Sequence, residues 1–312
     1  MLRYTVNRVF TAAILMVMAS VFAFLIVAAF PGNVAALIAE LLGGFVSQDV
    51  VDKVAEEYRL NDPLIARYGY WVADVLNGNL GRSFRTGEEV TIELLERLRP
   101  TFALLLGGSI VTLVVAVSLG FLGALWPGGF IDRAIRAIAV VNISIPKFFL
   151  AAMLIYVFGV VLNVLPTFGF RGPESWILPA IAIGVVPGSL LSRVARVSLE
   201  DAMSRPYVTT ALAKGLSRRR ILFRDALPNI VPIVLTALGM DIAFMVQGAL
   251  IIEPIFAWQG LGTYMVEAAR FRDLPVMQAS LLSFAALFIL VNLTVDLVVM
   301  LVNPLQRRPG RG

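Results

Sequence analysis

Long uncharged stretches set the organisation of this chain. No charged residue occurs from Val9 to Ala39 or from Pro100 to Ile131. A helix needs about 20 apolar residues to cross a bilayer, so Val9 to Phe30 makes a first crossing and the run from Pro100 a second. Ala137 to Leu162 gives a third, with Lys147 as its lone charge. Pro146 ahead of that lysine predicts a kink, or a helix that starts there after an interfacial segment. Trp176 to Ser192 is the fourth crossing, short and broken by Pro179 and Pro187. Ile230 to Ile252 is the fifth and carries Asp241 and Gln247; Val276 to Val302 is the sixth and carries Asn292 and Asp296. The pattern predicts an all-α membrane protein with six transmembrane helices.

The polar segments between these runs set its orientation. Pro31-Gly32-Asn33 marks the exit from the first crossing, and Glu40 to Arg99 holds eleven acidic and seven basic residues, too many for a membrane-embedded segment. Within it, Asp49 to Leu60 and Glu88 to Leu98 have helical apolar spacing, with turns at Asn77-Gly78-Asn79 and Gly81. Asp132, Arg133 and Arg136 read as a short basic loop, Val164 to Ser175 as an external loop, and Glu253 to Pro275 as an external, re-entrant-looking one. Arg193 to Arg224 carries eight basic residues against Glu200 and Asp201, and Arg3, Arg8, Arg307, Arg308 and Arg311 flank the outermost crossings. Lys and Arg collect on the cytoplasmic side, so both termini lie in the cytoplasm. The expected division is residues 1–30 as N-terminal segment and first helix, 31–99 as one long external helical loop, and 100–312 as a five-helix core with a cytoplasmic loop at 205–228.

Composition narrows the function. Fifty-nine per cent of residues are apolar and 15% charged, and the mean hydropathy is +0.85, which is the membrane class. The net charge of +5 comes with no basic tract interleaved with aromatics, so it expresses topology and not nucleic-acid binding. The sequence has no cysteine and no histidine, which removes disulfides, thiolate chemistry and the usual zinc ligands, and no metal site is expected. No nucleophile–base pair is evident, so the chain is not expected to be an enzyme. The first apolar run is too long for a signal-peptide core and reads as a retained helix. No G-x-x-x-x-G-K-[ST] loop occurs anywhere, so nothing in the chain is expected to cradle a nucleotide.

Three groups of residues are candidates for function. Around the basic loop, Thr210 to Lys214 favours helix, Gly215-Leu216-Ser217 turns, and Ser217 caps a second helix that starts at Arg218, Arg219 and Arg220 and ends before Leu227-Pro228. Such a helix pair is a docking surface, or a loop whose arginines merely fix topology. In the membrane, Asp241, Gln247, Asn292 and Asp296 line a polar path or act as interhelical hydrogen-bond glue. At the far end of the fifth helix, Glu253, Phe256, Trp258, Gly260 and Gly262 mark an external gate or a contact for another protein. Glu253 there recognises an amino group or simply ends the helix.

Ala211, Gly215 four residues later and then Asp225-Ala226-Leu227-Pro228 resemble the loop that permease subunits of binding-protein-dependent ABC importers offer to their ATPases. Thr209 and Thr210 stand where that family pattern has Glu and Ala, and Asp225 where Ile is common. Leu60-Asn61-Asp62-Pro63, Tyr68, Trp71, the run Gly78 to Phe84, Ser144-Ile145-Pro146, the stretch from Glu253 to Gly262, and Val291-Asn292, Val295-Asp296 and Asn303-Pro304 are similar to the dipeptide, oligopeptide and nickel branch. The resemblance covers nearly the whole chain in order. It implies half of a translocation path in a bacterial or archaeal inner membrane. It further implies a sister permease forming a heterodimer, two ABC ATPase subunits and an extracytoplasmic substrate-binding protein. By the same resemblance the chain binds no cofactor, and ATP and magnesium sit on the ATPases. The substrate would be a peptide, or alternatively nickel or another small peptide-like chelate. An ATPase-independent secondary transporter is the reading from a different class; such carriers often show internal repeats, and no repeat relates the two halves here.

Overall fold

The computed structural model describes residues 2–29, 34–41, 47–57, 59–125 and 128–302. The expected turn at Pro31-Gly32-Asn33 and the basic tail from residue 303 lie outside them. Thirteen α-helices are formed among the described residues: α1 (Leu2–Ala28), α2 (Val34–Leu41), α3 (Gln48–Glu57), α4 (Leu64–Leu76), α5 (Val90–Leu125), α6 (Phe130–Ser144), α7 (Lys147–Leu154), α8 (Ile177–Ser204), α9 (Pro206–Ala213), α10 (Arg218–Ile221), α11 (Leu227–Ile255), α12 (Leu261–Phe271) and α13 (Leu274–Val302). Five helical stretches are long and apolar enough to cross a membrane, and six if the bent pair α6–α7 counts as one.

Several boundaries differ from the sequence expectation, each for a local reason. The helix foreseen over Glu88–Leu98 and the second crossing are one 36-residue helix, α5, which runs through Pro100. A proline removes one intrahelical bond, and the neighbouring Thr101 hydroxyl donates to the Arg97 carbonyl at 3.3 Å. Likewise the fourth crossing is not broken. α8 continues for 28 residues through Pro187 to Ser204, and Pro179 falls in its first turn, where the missing N–H costs nothing. Pro187 leaves the Ile183 carbonyl without its helical donor, and beside it Thr112 donates to the Gly184 carbonyl at 2.9 Å. Asp132 and Arg136 belong to α6 and not to a loop. Leu64 to Leu76 is a helix that the apolar spacing did not single out.

The break at Pro146 is real. Ile145 has ψ 124° and Pro146 ψ 137°, the extended backbone that a proline imposes on its predecessor, and the two helices on either side bend by 105°.

The chain forms two compact units. Among the described residues, one comprises 2–5, 102–258 and 290–302. Its core is made by Ala116, Leu191, Ala195, Leu199, Ala202, Leu222, Ala226, Ile230, Val234 and Leu238. Within it α5 and α8 meet through small residues: a Cβ on Gly184 would strike the Gly108 carbonyl, and one on Gly188 would stand 2.8 Å from Val115. In lipid, close backbone approach of this kind supplies the packing that apolar burial supplies in water. At the start of α6, fully buried Asp132 makes an ion pair with Arg196 of α8 at 3.0 Å and with Arg136 at 3.2 Å. It also accepts the Gly128 N–H at 3.0 Å, and Arg196 continues to Glu200 at 2.8 Å. The start of α6 is thereby tied to the half of α8 that leads toward Ser204.

The other unit comprises residues 6–101 and 259–289. α4 lies on α1: Tyr68 and Ser20 share a 2.8 Å hydrogen bond, and the Phe24 ring packs edge-on to Tyr68 at 5.4 Å. Ala35, Ile38, Ala39, Val51, Val54, Ala55, Phe84 and Leu274 form its core. Buried Asp273 accepts three hydrogen bonds from one turn, from the Ser83 hydroxyl at 2.5 Å and the Phe84 and Arg85 N–H groups at 3.2 and 3.3 Å. This clamp fixes the Gly78 to Phe84 segment against the start of α13.

Candidate functional site

The basic loop is a compact helical protrusion. α9 ends at Ala213, and the chain turns at Gly215 with φ +79°, a conformation that suits glycine and strains other residues. The Gly215 and Leu216 N–H groups donate to Leu212 and Ala211 at 2.9 and 3.2 Å, closing the end of α9. Ser217 caps α10 as its spacing foretold, its hydroxyl accepting the Arg220 N–H at 3.4 Å. The second helix does not end before Leu227-Pro228. α10 widens into a π turn over Leu222–Ala226 and continues as α11. Pro228 has no N–H to offer the Arg224 carbonyl, and the wider turn absorbs the ring that faces it.

This continuity attaches the protrusion to the fifth span. Ile221, Leu222 and Ala226 are buried and anchor it, and Val208 does the same for α9. Arg218, Arg219, Arg220, Lys214 and Pro228 are exposed, and so are Tyr207, Leu212 and Phe223. Asp225 and Leu216 are half-buried. At the entry to α9, exposed Arg205 pairs with Asp201 at 2.7 Å, and that hydrogen bond and charge hold the guanidinium above its ordinary pKa. The arrangement presents cations and apolar rings together on a rigid turn, a surface suited to a protein groove with acidic edges.

The intramembrane polar residues are only partly gathered. α11 and α13 approach so closely at Gly239 that a Cβ there would strike Val295. Asp241 lies two residues along α11 from that crossing, and Asn292 and Asp296 lie on the α13 segment around it; all three are half-buried. Gln247 is exposed and lies about 9 Å further along α11 than Asp241.

The stretch from Glu253 to Gly262 departs most from expectation. Its first part is helical, with Glu253 and Pro254 inside α11, and most of the chain from Leu261 to Pro275 is helix as well, as α12 and the start of α13. Glu253, Phe256 and Trp258 are 0%, 2% and 4% exposed, and Gly260 and Gly262 are buried. The Trp258 ring packs edge-on to Phe170 and Trp176 with centroids near 6 Å, and the Trp258 backbone N–H donates to the Glu253 carbonyl at 2.8 Å. These side chains hold the segment inward. The irregularity suggested by Gly and Pro is confined to a turn at residues 256–260, because the apolar spacing of α12 outweighs it.

In the second unit, Leu261 N–H donates to the buried Thr101 hydroxyl at 2.9 Å, and the Tyr264 hydroxyl donates to Glu93 at 2.6 Å. Burial, with Glu93 as acceptor, pushes the Tyr264 phenol far above its usual pKa, so it remains a donor. Arg97 donates to Gln259. The Asp273 clamp, the Asp132–Arg196 pair and these bonds escaped sequence reasoning, since the partners of each lie tens of residues apart. Gly78 to Phe84 was visible as a motif but its partner was not.

Comparison with known proteins agrees with this arrangement. Residues 1–105 match a family described as binding-protein-dependent transport system membrane component, N-terminal. Residues 116–308 match one described as binding-protein-dependent transport system inner membrane component. The probable peptide ABC transporter permease protein y4tP of Sinorhizobium fredii is 35% identical over 309 residues, 96% of this chain and 98% of that protein. The glutathione transport system permease protein GsiC of Escherichia coli is 33% identical over 307 residues, 98% and 99% of the two chains. In fold, the chain is similar to a solved inward-facing MetNI methionine ABC transporter, with TM-score 0.58 and 18% identity over 68% of this chain and 96% of that one. With matches along both halves and a shared helical fold, the chain belongs to the family of inner-membrane permease components of binding-protein-dependent ABC importers.

Proposed function

We propose that the chain forms half of the translocation path of an ATP-driven peptide importer, paired with a sister permease. In this reading the termini and the α9–α10 protrusion face the cytoplasm, where the protrusion docks on an ABC ATPase that supplies ATP and magnesium; the chain itself binds no cofactor. A substrate-binding protein delivers peptide from the other side. The observation that carries the reading is near full-length similarity to permeases named for peptide and glutathione transport. The protrusion supports it, since Ile221, Leu222 and Ala226 bury its base and its continuity with α11 lets a push on the arginines reach a membrane helix. A rigid-body rocking of the spans, driven by closure of the ATPase pair, gives alternating access.

The test is uptake of labelled tripeptide into proteoliposomes holding the full complex, with the phosphate loop of the ATPase disabled by substitution of its lysine. The reading predicts loss of uptake to background. Uptake that persisted would point to a carrier that needs no ATPase.

A further inference from the structure

Lys147, the first residue of α7, places an ammonium inside the membrane span. Two helices fix its depth. A Cβ on Gly248 would stand 3.2 Å from the Lys147 Nζ and 3.5 Å from Ile183. Gly248 lies seven residues before the end of α11 at Ile255, and Ile183 six residues after the start of α8 at Ile177. The ammonium therefore sits about 10 Å, or two turns, inside both helix ends. Lys147 is half-buried, and no carboxylate among the described residues lies within ion-pair distance of it.

An intramembrane cation without a built-in acid is costly to insert and marks a place where charge from outside the fold is met. Glycine at 248 leaves the ammonium its room, because any larger side chain on that face of α11 would press into it. Seven residues earlier on the same face is Asp241, half-buried and about 10 Å away along the helix. A cation and an anion with this spacing match the ends of a short zwitterion: at roughly 3.3–3.6 Å per residue, two or three amino acids span about 7–10 Å.

We propose that Lys147 and Asp241 form a two-pole site in the path, taking the C-terminal carboxylate and the N-terminal ammonium of a di- or tripeptide as it passes. The inference rests on the reading of the chain as a peptide importer and names the chemistry that reading leaves open.

The experiment uses the full complex with its binding protein in liposomes, trialanine as the peptide, and both uptake and ATP hydrolysis as readouts. Lys147→Met is expected to lower uptake about tenfold or more, the effect of losing one charge-assisted hydrogen bond. Binding-protein-stimulated ATP hydrolysis should persist, and Lys147→Arg should restore most of the uptake. Unchanged uptake in Lys147→Met overturns the site. So does a joint loss of uptake and hydrolysis that arginine fails to rescue, since that pattern means a purely structural lysine. A wild-type complex that takes up no trialanine while hydrolysing ATP would overturn the peptide reading itself, and the site with it.

Discussion

Asp273 carries a large share of the local order in its unit. It is 2% exposed and accepts hydrogen bonds from Ser83, Phe84 and Arg85. Removing a buried carboxylate with charge-assisted bonds leaves its donors unsatisfied, at about 1–3 kcal/mol for each buried group. Asp273→Ala is therefore expected to destabilise the protein by about 3 kcal/mol, read as a lower midpoint of thermal unfolding in detergent; Asp273→Asn, which keeps one acceptor oxygen, should lose less. Equal stability of both variants and wild type would contradict the clamp. The sequence made Gly78 to Phe84 visible as a motif, yet the acceptor it closes on lies about 190 residues away. Glu253 and Trp258 show the same limit from the other side: their types marked the segment as special, and the burial of Trp258 against Phe170 and Trp176 depends on residues over 80 positions away.

At the scale of elements, apolar runs located the membrane crossings, and charge located the basic loop between the fourth and fifth. Prolines misled the boundaries. Pro100 and Pro187 lie inside continuous helices, and Pro146 alone of the three coincides with a break. Hydroxyls donate to carbonyls near the first two: Thr101 to Arg97 within its own helix, and Thr112 of α5 to Gly184 of α8, a tertiary contact that no window of sequence contains. Local chemistry was more legible at the α9–α10 turn, where Gly215 and the Ser217 cap occur as their residue types predict. Replacing Gly215 by proline would force φ from +79° to about −65° and remove the bond from its N–H to Leu212. If the turn couples to an ATPase, Gly215→Pro should abolish ATP-driven uptake while the isolated ATPase still binds nucleotide. Uptake at the wild-type rate would remove the turn from the coupling path.

For the molecule as a whole, the family and the all-helical membrane fold were within reach of the sequence because they depend on hydropathy and on motifs spread along the full length. The partition into two units was not, since each unit joins distant parts of the chain. In the proposed assembly, the protrusion carrying Arg218, Arg219 and Arg220 is the contact with the ATPase. The absence of any native cysteine allows a direct measurement. Arg219→Cys, on the exposed face of α10, is treated in the assembled complex with a thiol-reactive photocrosslinker, and Phe10→Cys on the exposed face of α1 serves as the comparison. A covalent product of this chain with the ATPase subunit is expected from position 219 and none from position 10. A position 219 that stays unlinked and freely labelled while the ATPase remains bound would contradict it.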